Sequence, residues 1–357
     1  MTGAMYFNFH DAVSFELVTS DPEAQLFFAA EYKNHLQDHP LPDAPLVTLE
    51  WKRGLPLFTG KSFGFHVHKL LARWSYQAAI EKNHIRIKAV GNRYAIPMVH
   101  HMMVHPSLRY LVSKIDMMLL HGAAVVKNGQ SIILTGRGGA GKTTTSSMLL
   151  AQGGPDWSMH ADDYVFIGSG PQTCAYMTRS HLYKDLLRWL PELREKLSLI
   201  ERIRLYVYGT IREWTREGIK WPVRLSSERL WPDHTLASRA RLSKVLLLRR
   251  APVPTLQLVD IEALDEVVEI LVEMNFFEAR HFISLMNNKP GTPLPEDWLE
   301  AWRIREKQLL HRYLSQTSVQ WLELPDSKKL DPRLGHQLVD LLGPCLESPD
   351  QEVEGGR

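Results

Sequence analysis

Residues Ile132 to Thr143 read IILTGRGGAGKT, an apolar run that stops at a glycine and resumes at Gly-Lys-Thr. The spacing Gly136-x-x-x-x-Gly141-Lys142-Thr143 constrains the fold more than any other stretch. It requires a strand entering the loop and a helix leaving it, because that turn aims successive backbone N–H groups at one anion. The apolar run supplies the strand, and a helix is expected from about Lys142 until Gly153-Gly154-Pro155 breaks it. Gly136, Arg137, Gly138, Gly139, Ala140, Gly141, Lys142, Thr143 and Thr144 are therefore the expected phosphate cradle. Lys142 would reach the β- and γ-phosphates of ATP, and the Thr143 hydroxyl would ligate Mg²⁺.

The stretch just before the loop narrows the architecture. Val125-Val126-Lys127-Asn128-Gly129-Gln130-Ser131-Ile132-Ile133 sets Asn-Gly between two β-branched runs. Asn and Gly tolerate the positive φ of a type I′ turn, so the spacing predicts a tight hairpin. The loop-feeding strand then has an antiparallel neighbour directly before it. Most phosphate loops are fed instead from a parallel sheet built by helical crossovers.

A pair of carboxylates follows. In Trp157-Ser158-Met159-His160-Ala161-Asp162-Asp163-Tyr164-Val165-Phe166-Ile167 the two aspartates stand 20 and 21 residues after Lys142, ahead of an apolar run. One helix and a return strand bring them back beside the loop. Neighbours on an extended backbone point opposite ways, so one can accept a proton from a hydroxyl while the other holds a cation. Read without the loop, Asp-Asp is an ordinary surface turn.

Composition excludes several classes. The net charge of +2 gives no broad electrostatic grip on nucleic acid. No apolar run reaches the roughly 18–20 residues of a membrane helix. The start, MTGAMYFNFHDAV, lacks a basic stretch followed by an apolar core, and Cys174 and Cys345 cannot form a disulfide framework. A cytoplasmic protein without nucleic-acid or membrane partners is expected, and its composition is compatible with an oligomer.

The combination resembles the HPr kinase/phosphorylase family, whose fold is related to phosphoenolpyruvate carboxykinase. Leu120-His121-Gly122, the loop Gly136 to Thr143 and Ala161-Asp162-Asp163 carry the resemblance over about 50 residues. A looser likeness continues through Leu246-Leu247-Leu248-Arg249-Arg250 and Val319 to Leu324. The resemblance implies an α/β fold with an HPr-kinase-like P-loop core and mixed sheet. It implies catalytic roles for His121, Lys142 and Asp162, with Thr143 on Mg²⁺; Asp163 is the remaining candidate metal ligand. The family's downstream Glu-Ile-Arg-Gly signature has no counterpart between residues 165 and 260, which leaves the acceptor unspecified. The expected activity is ATP- and Mg²⁺-dependent transfer of the γ-phosphoryl group to a serine-type hydroxyl of a peptide, protein or small molecule. The alternative is a nucleotide-responsive regulatory protein without transferase activity. A motor-type ATPase lacks support, since no Leu-Ser-Gly-Gly-Gln segment and no distant strand ending in Asp or Glu with the usual spacing are present.

Around this core, residues 1–108 read as a small α+β lobe, 109–345 as the kinase domain and 346–357 as a polar, disordered tail. Strands are expected at Tyr6 to Phe9, Ser14 to Val18, Leu46 to Trp51, Ile85 to Val90, Val245 to Leu248 and Val319 to Leu324. Leu70, Leu71, Trp74 and Ala78 recur at helical spacing, so His68 to Lys82 is expected to be an amphipathic helix. Further helices are expected at Glu262 to Glu273, Phe276 to Met286, Glu296 to Tyr313 and Gly335 to Leu342. His160, the cluster Arg179, His181 and Lys184, and the pair Arg249-Arg250 are secondary candidates for phosphate or substrate contacts. On its residues alone His121 reads as a partly buried structural histidine. His100, His101 and His105 lack the spacing of a metal site.

Overall fold

The structure, a computed structural model, describes residues 3–54, 65–69, 71–168, 170–215, 221–287, 297–326, 331 and 333–346. The expected tail at 346–357 and the Cys345 side chain lie almost entirely outside them. The chain opens with β1 (Gly3–Phe9), β2 (Val13–Thr19), α1 (Pro22–Glu31), β3 (Leu36–Gln37) and β4 (Leu46–Arg53). Then come β5 (Phe65–Lys69), β6 (Ala72–Glu81), β7 (His84–Gly91), α2 (Ile96–Val99) and α3 (His105–Val112). The middle contains β8 (Met118–Lys127), β9 (Gln130–Thr135), α4 (Lys142–Gly153), β10 (Trp157–Ala161), β11 (Tyr164–Gly168) and β12 (Gln172–Ala175). After β13 (Ser180–Leu182) follow α5 (Leu186–Trp189), α6 (Leu199–Trp214), β14 (Val223–Leu225) and α7 (Ser227–Leu230). The last elements are β15 (Arg239–Ala251), β16 (Gln257–Asp260), α8 (Leu264–Asn287), α9 (Trp298–Leu314), β17 (Ser318–Pro325) and α10 (Leu334–Leu342).

Two compact units share these elements. One comprises residues 1–119, 167–169 and 265–312, and the other comprises 120–166, 170–264 and 313–357. The units are thus interleaved along the chain, and the long helical stretch after residue 264 belongs with the N-terminal residues.

The first unit is built on a seven-stranded mixed sheet in the order β3-β1-β2-β4-β7-β6-β5. Phe7, Phe9, Phe15, Leu17, Val47, Leu49, Ile85 and Ile87 are all buried, the period-two pattern of a sheet packed on one face. Here the helix expected over His68 to Lys82 is corrected to two antiparallel strands, β5 and β6. Ala72, Trp74, Tyr76 and Ala78 are buried while Arg73 and Gln77 are exposed, so the true period is two. Trp74 and Ala78 fit both periods, because a spacing of four is a multiple of two and also nearly one helical turn. Leu70 lies outside the described residues.

A second correction falls in this unit. The two helices expected either side of Asn275 are one continuous helix, α8, of 24 residues. Asn275 does not break it, because its side chain is buried and donates to Glu306 Oε2 at 3.3 Å. Arg109 of α3 completes the knot, with Nε donating to Glu306 Oε1 at 2.7 Å and the guanidinium 4.8 Å above the Trp302 ring.

The second unit holds an eight-stranded mixed sheet, β10-β8-β11-β12-β15-β17-β16, with β9 paired to both β8 and β15. As the Asn-Gly signal predicts, β8 and β9 form an antiparallel hairpin, with φ of 52° at Asn128 and 72° at Gly129. The loop-feeding strand β9 thus has an antiparallel neighbour on one edge and the parallel strand β15 on the other. Leu134, Leu246, Met148, Leu149 and Trp157 bury the contact between this sheet and α4, and α10 packs on α4 with Leu338 and Leu342. Among the described residues no helix is long and apolar enough to cross a membrane.

Candidate functional site

The site is assembled where β9 ends. Gly136 leaves the strand at φ 152°, and a Cβ there would lie 3.0 Å from both Leu248 O and Ala140 Cβ. Only glycine fits that approach. Gly139 and Gly141 adopt φ of 87° and 106°, and Gly141 caps α4 in the left-handed region with no side chain on the helix N-terminus. Around Gly138 and Gly139 an added Cβ would meet no atom within 4 Å. The loop therefore runs close to the sheet at its root and leaves open space at its crest, with the positive end of a 12-residue helix behind it. Arg137, Gly138 and Gly139 are exposed, while Ala140, Thr143 and Thr144 are half-buried.

Lys142, the first residue of α4, is buried and its ammonium donates to Gly136 O at 2.8 Å. The cation is held across the loop rather than out in solvent. Asp162 and Asp163 form the two-residue bend between β10 and β11 rather than an extended segment, and their side chains reach different partners. Asp162 is 5% exposed and turns toward the loop. One of its oxygens accepts the His181 backbone N–H at 2.9 Å, and the Thr143 hydroxyl donates to the carboxylate. Burial, reinforced by the charge of Asp163, pushes its pKa up to about 7 from the usual 3.8. The His181 N–H, the Thr143 hydroxyl and Lys142 each pull it part of the way back.

Asp163 turns the other way, toward His121 on β8, with Oδ1 3.4 Å from the imidazole Nδ1. The backbone holds this pair in place, since Gly122 N donates to Asp163 O at 2.9 Å. The imidazole lies over Tyr164, their ring centroids 5.1 Å apart. The structure therefore brings together five of the residues singled out in the sequence: His121, Lys142, Thr143, Asp162 and Asp163.

The secondary candidates divide. His160 is fully buried away from this cluster, its Nδ1 donating to Ala237 O at 2.6 Å and its Nε2 3.0 Å from Thr173 Oγ1. It ties β10 into the sheet. Arg249 pairs with Glu323 and lies 4.5 Å over the Trp321 ring, and Arg250 donates to Pro325 O at 2.9 Å. Both arginines are occupied by their own sheet. His181 reaches the site through its main chain, an N–H that no side-chain pattern reveals.

Sequence reasoning missed Tyr183. Its hydroxyl is pushed up to about 12, first by burial and then by Asp163, with Asp162 also contributing, so it stands within electrostatic reach of both carboxylates. Arg212 lies 5.1 Å over its ring. Tyr183 and Arg212 line a hollow with Lys184, Tyr208 and Trp221. Two ion pairs border it, Lys184–Glu213 at 3.1 Å and Arg212–Asp185 at 2.9 Å. The signal was there only in part: Tyr183 lies within the basic cluster, but Arg212 lies 29 residues further on.

The donor set suits a phosphate-bound hard cation. Among the described residues no three His, Cys, Asp or Glu side chains gather as a self-sufficient metal site. Mg²⁺ bound to a nucleotide needs only one or two carboxylates and a hydroxyl beside the phosphate oxygens, and Thr143 with the aspartates offers that. In comparisons with known proteins, no family model matches the chain and no curated protein matches it significantly.

Proposed function

We propose that the chain is a P-loop phosphotransferase of the HPr-kinase-like kind, moving the γ-phosphoryl group of ATP to a hydroxyl. The observation that carries this reading is Asp162: buried against the loop, bonded to Thr143, and with a pKa near neutrality. A general base works best when its pKa lies near the working pH. A carboxylate that served only as a turn would sit in water with an ordinary pKa.

In this reading the loop N–H groups and Lys142 hold the β- and γ-phosphates, and the open crest at Gly138 and Gly139 admits them. Asp162 accepts the proton of the acceptor hydroxyl as its oxygen bonds to the γ-phosphorus and the bond to the β–γ bridging oxygen breaks. Thr143, with a carboxylate of the aspartate pair, would hold Mg²⁺, which would supply neutralisation of the charge gathering on the phosphate oxygens. His121 orients Asp163 and adds positive charge when protonated. Catalysis is then mostly positioning and electrostatics. A cytoplasmic location and a peptide, protein or small-molecule acceptor belong to the same proposal.

The test uses ATP labelled in the γ-phosphate, supplied with Mg²⁺ and a cell extract as the source of acceptors. Label should move onto a hydroxyl-bearing molecule with the wild type and not with Lys142→Ala. Binding of ATP without transfer would favour the regulatory alternative, and undiminished ATP binding by Lys142→Ala would remove the loop from the site.

A further inference from the structure

The helix α6 is folded inside out. Amphipathic helices normally turn their apolar stripe to the core. Within its unit α6 buries only Leu205, and this face, with Tyr208, Gly209 and Arg212, lines the hollow beside Tyr183. At about 100° per residue the opposite side carries Ile200, Ile203, Val207, Ile211 and Trp214 within an arc of about 80°. Ile200 is 63% exposed, Ile203 55%, Val207 44% and Trp214 85%, while Ile211 is half-buried. The helix itself is well made, with a reciprocal capping box between Ser198 and Glu201. The stripe therefore begins on a firmly capped helical turn.

We propose that this stripe is a homodimer contact in which α6 pairs antiparallel with α6 of a second copy, the two-fold axis passing beside Val207. The placement of the apolar residues carries the assignment. Ile203 and Ile211 stand four residues either side of Val207, and Ile200 and Trp214 stand seven either side. A two-fold contact must be self-complementary, and a stripe symmetric about its own centre is. Reversing the second helix sets Ile200 against Trp214 of the other copy and Ile203 against Ile211. Ile203, Val207 and Ile211 also form an i±4 row, the ridge used in the commonest helix packing of globular proteins. Val207, the smallest of the five side chains, sits at the crossing point where the backbones come closest.

The charges along the helix fit a protein partner better than an anionic membrane. Glu201 is tied to Arg229 and Glu213 to Lys184, so α6 displays mixed charge and lacks the continuous basic face that lipid binding uses. A lipid surface would also place no symmetry on the stripe.

The distance at the crossing can be tested. Helix axes about 8–10 Å apart, each with Cα atoms at a radius of about 2.3 Å, bring facing Cα atoms to within about 3.5–5.5 Å, whose upper half lies in disulfide range. Val207→Cys should cross-link between two copies under mild oxidation. Leu199→Cys, more exposed than Val207 but eight residues from the axis, should not, and the wild type run in parallel reports on the native cysteines. Sedimentation of the wild type at micromolar concentration should give a dimer, and Val207→Asp a monomer with unchanged circular dichroism and melting temperature. A wild type that sediments as a monomer overturns the proposal, as does Leu199→Cys cross-linking as readily as Val207→Cys. A monomer that co-sediments with phosphatidylserine vesicles and loses this with Val207→Asp also overturns it, in favour of a membrane contact.

Discussion

Replacing Asp162 by Asn should cost activity and increase stability, and the gain should depend on pH. The carboxyl titrates at 3.8 in an unfolded chain and at about 7 in the fold. Between those values the native state keeps a proton that the unfolded state has released. Stability therefore falls as pH rises through this window, and the loss is nearly complete above about pH 7. At about 1.4 kcal/mol per pKa unit, the penalty is about 4 kcal/mol at pH 8 and about 2 kcal/mol at pH 5. Asparagine is isosteric, still accepts the His181 N–H and never ionises, so it escapes the penalty at both values. Urea unfolding of the two proteins should show the variant gaining about 2 kcal/mol more at pH 8 than at pH 5. In the same preparations phosphoryl transfer should fall by about 10²- to 10⁴-fold, as expected on losing a general base. Equal shifts at the two pH values, or a less stable variant at pH 8, would refute the account of a buried, near-neutral carboxylate.

The other expectations concern neighbouring parts of the molecule. Asp163→Asn should raise the Mg²⁺ concentration needed for half-maximal transfer, with added metal restoring part of the rate; if Asp162→Asn is the one restored, the two roles are exchanged. Gly129→Val should destabilise the protein by about 1 kcal/mol or more, because φ is 72° there and a β-branched residue is strained at such an angle, which urea midpoints will show. Glu306→Gln leaves Arg109 buried without its counter-charge and should cost about 3–5 kcal/mol, read as a large fall in melting temperature.

The second unit was legible wherever chemistry acts over short range. Asn128-Gly129 fixed a hairpin because few residues accept positive φ in succession, and the glycine spacing located the loop because only glycine permits its backbone. The aspartate pair could be placed beside the loop, since one helix and one strand leave little freedom over some twenty residues. The first unit was less readable. Trp74 and Ala78 satisfy two periods at once, and the alternation of Arg73, Ser75 and Gln77 between them is what decides for a strand. The gap left between the two expected helices at Met274-Asn275 does not exist, because Asn275 is held inside one helix by a buried glutamate 31 residues away. The site's remaining parts, the His181 N–H, Tyr183 and Arg212, are set by tertiary placement, which has no local signature.

The short pairing of β13 with β14 has a consequence that extends beyond its size. Its three residue pairs close the base of everything between Leu182 and Val223, including α5 and α6. The peptide N–H of His181, inside that pairing, is also the hydrogen bond that draws the Asp162 pKa down. Any movement of the excursion that lengthened this contact would therefore be coupled to the protonation of the carboxylate. Anything that settles α5 and α6 more firmly strengthens that N–H contact and favours the charged carboxylate; by reciprocity, raising the pH settles the excursion. A contact made far out on α6 would then be felt at Asp162 as a change in acidity, with no side chain of the partner near the loop.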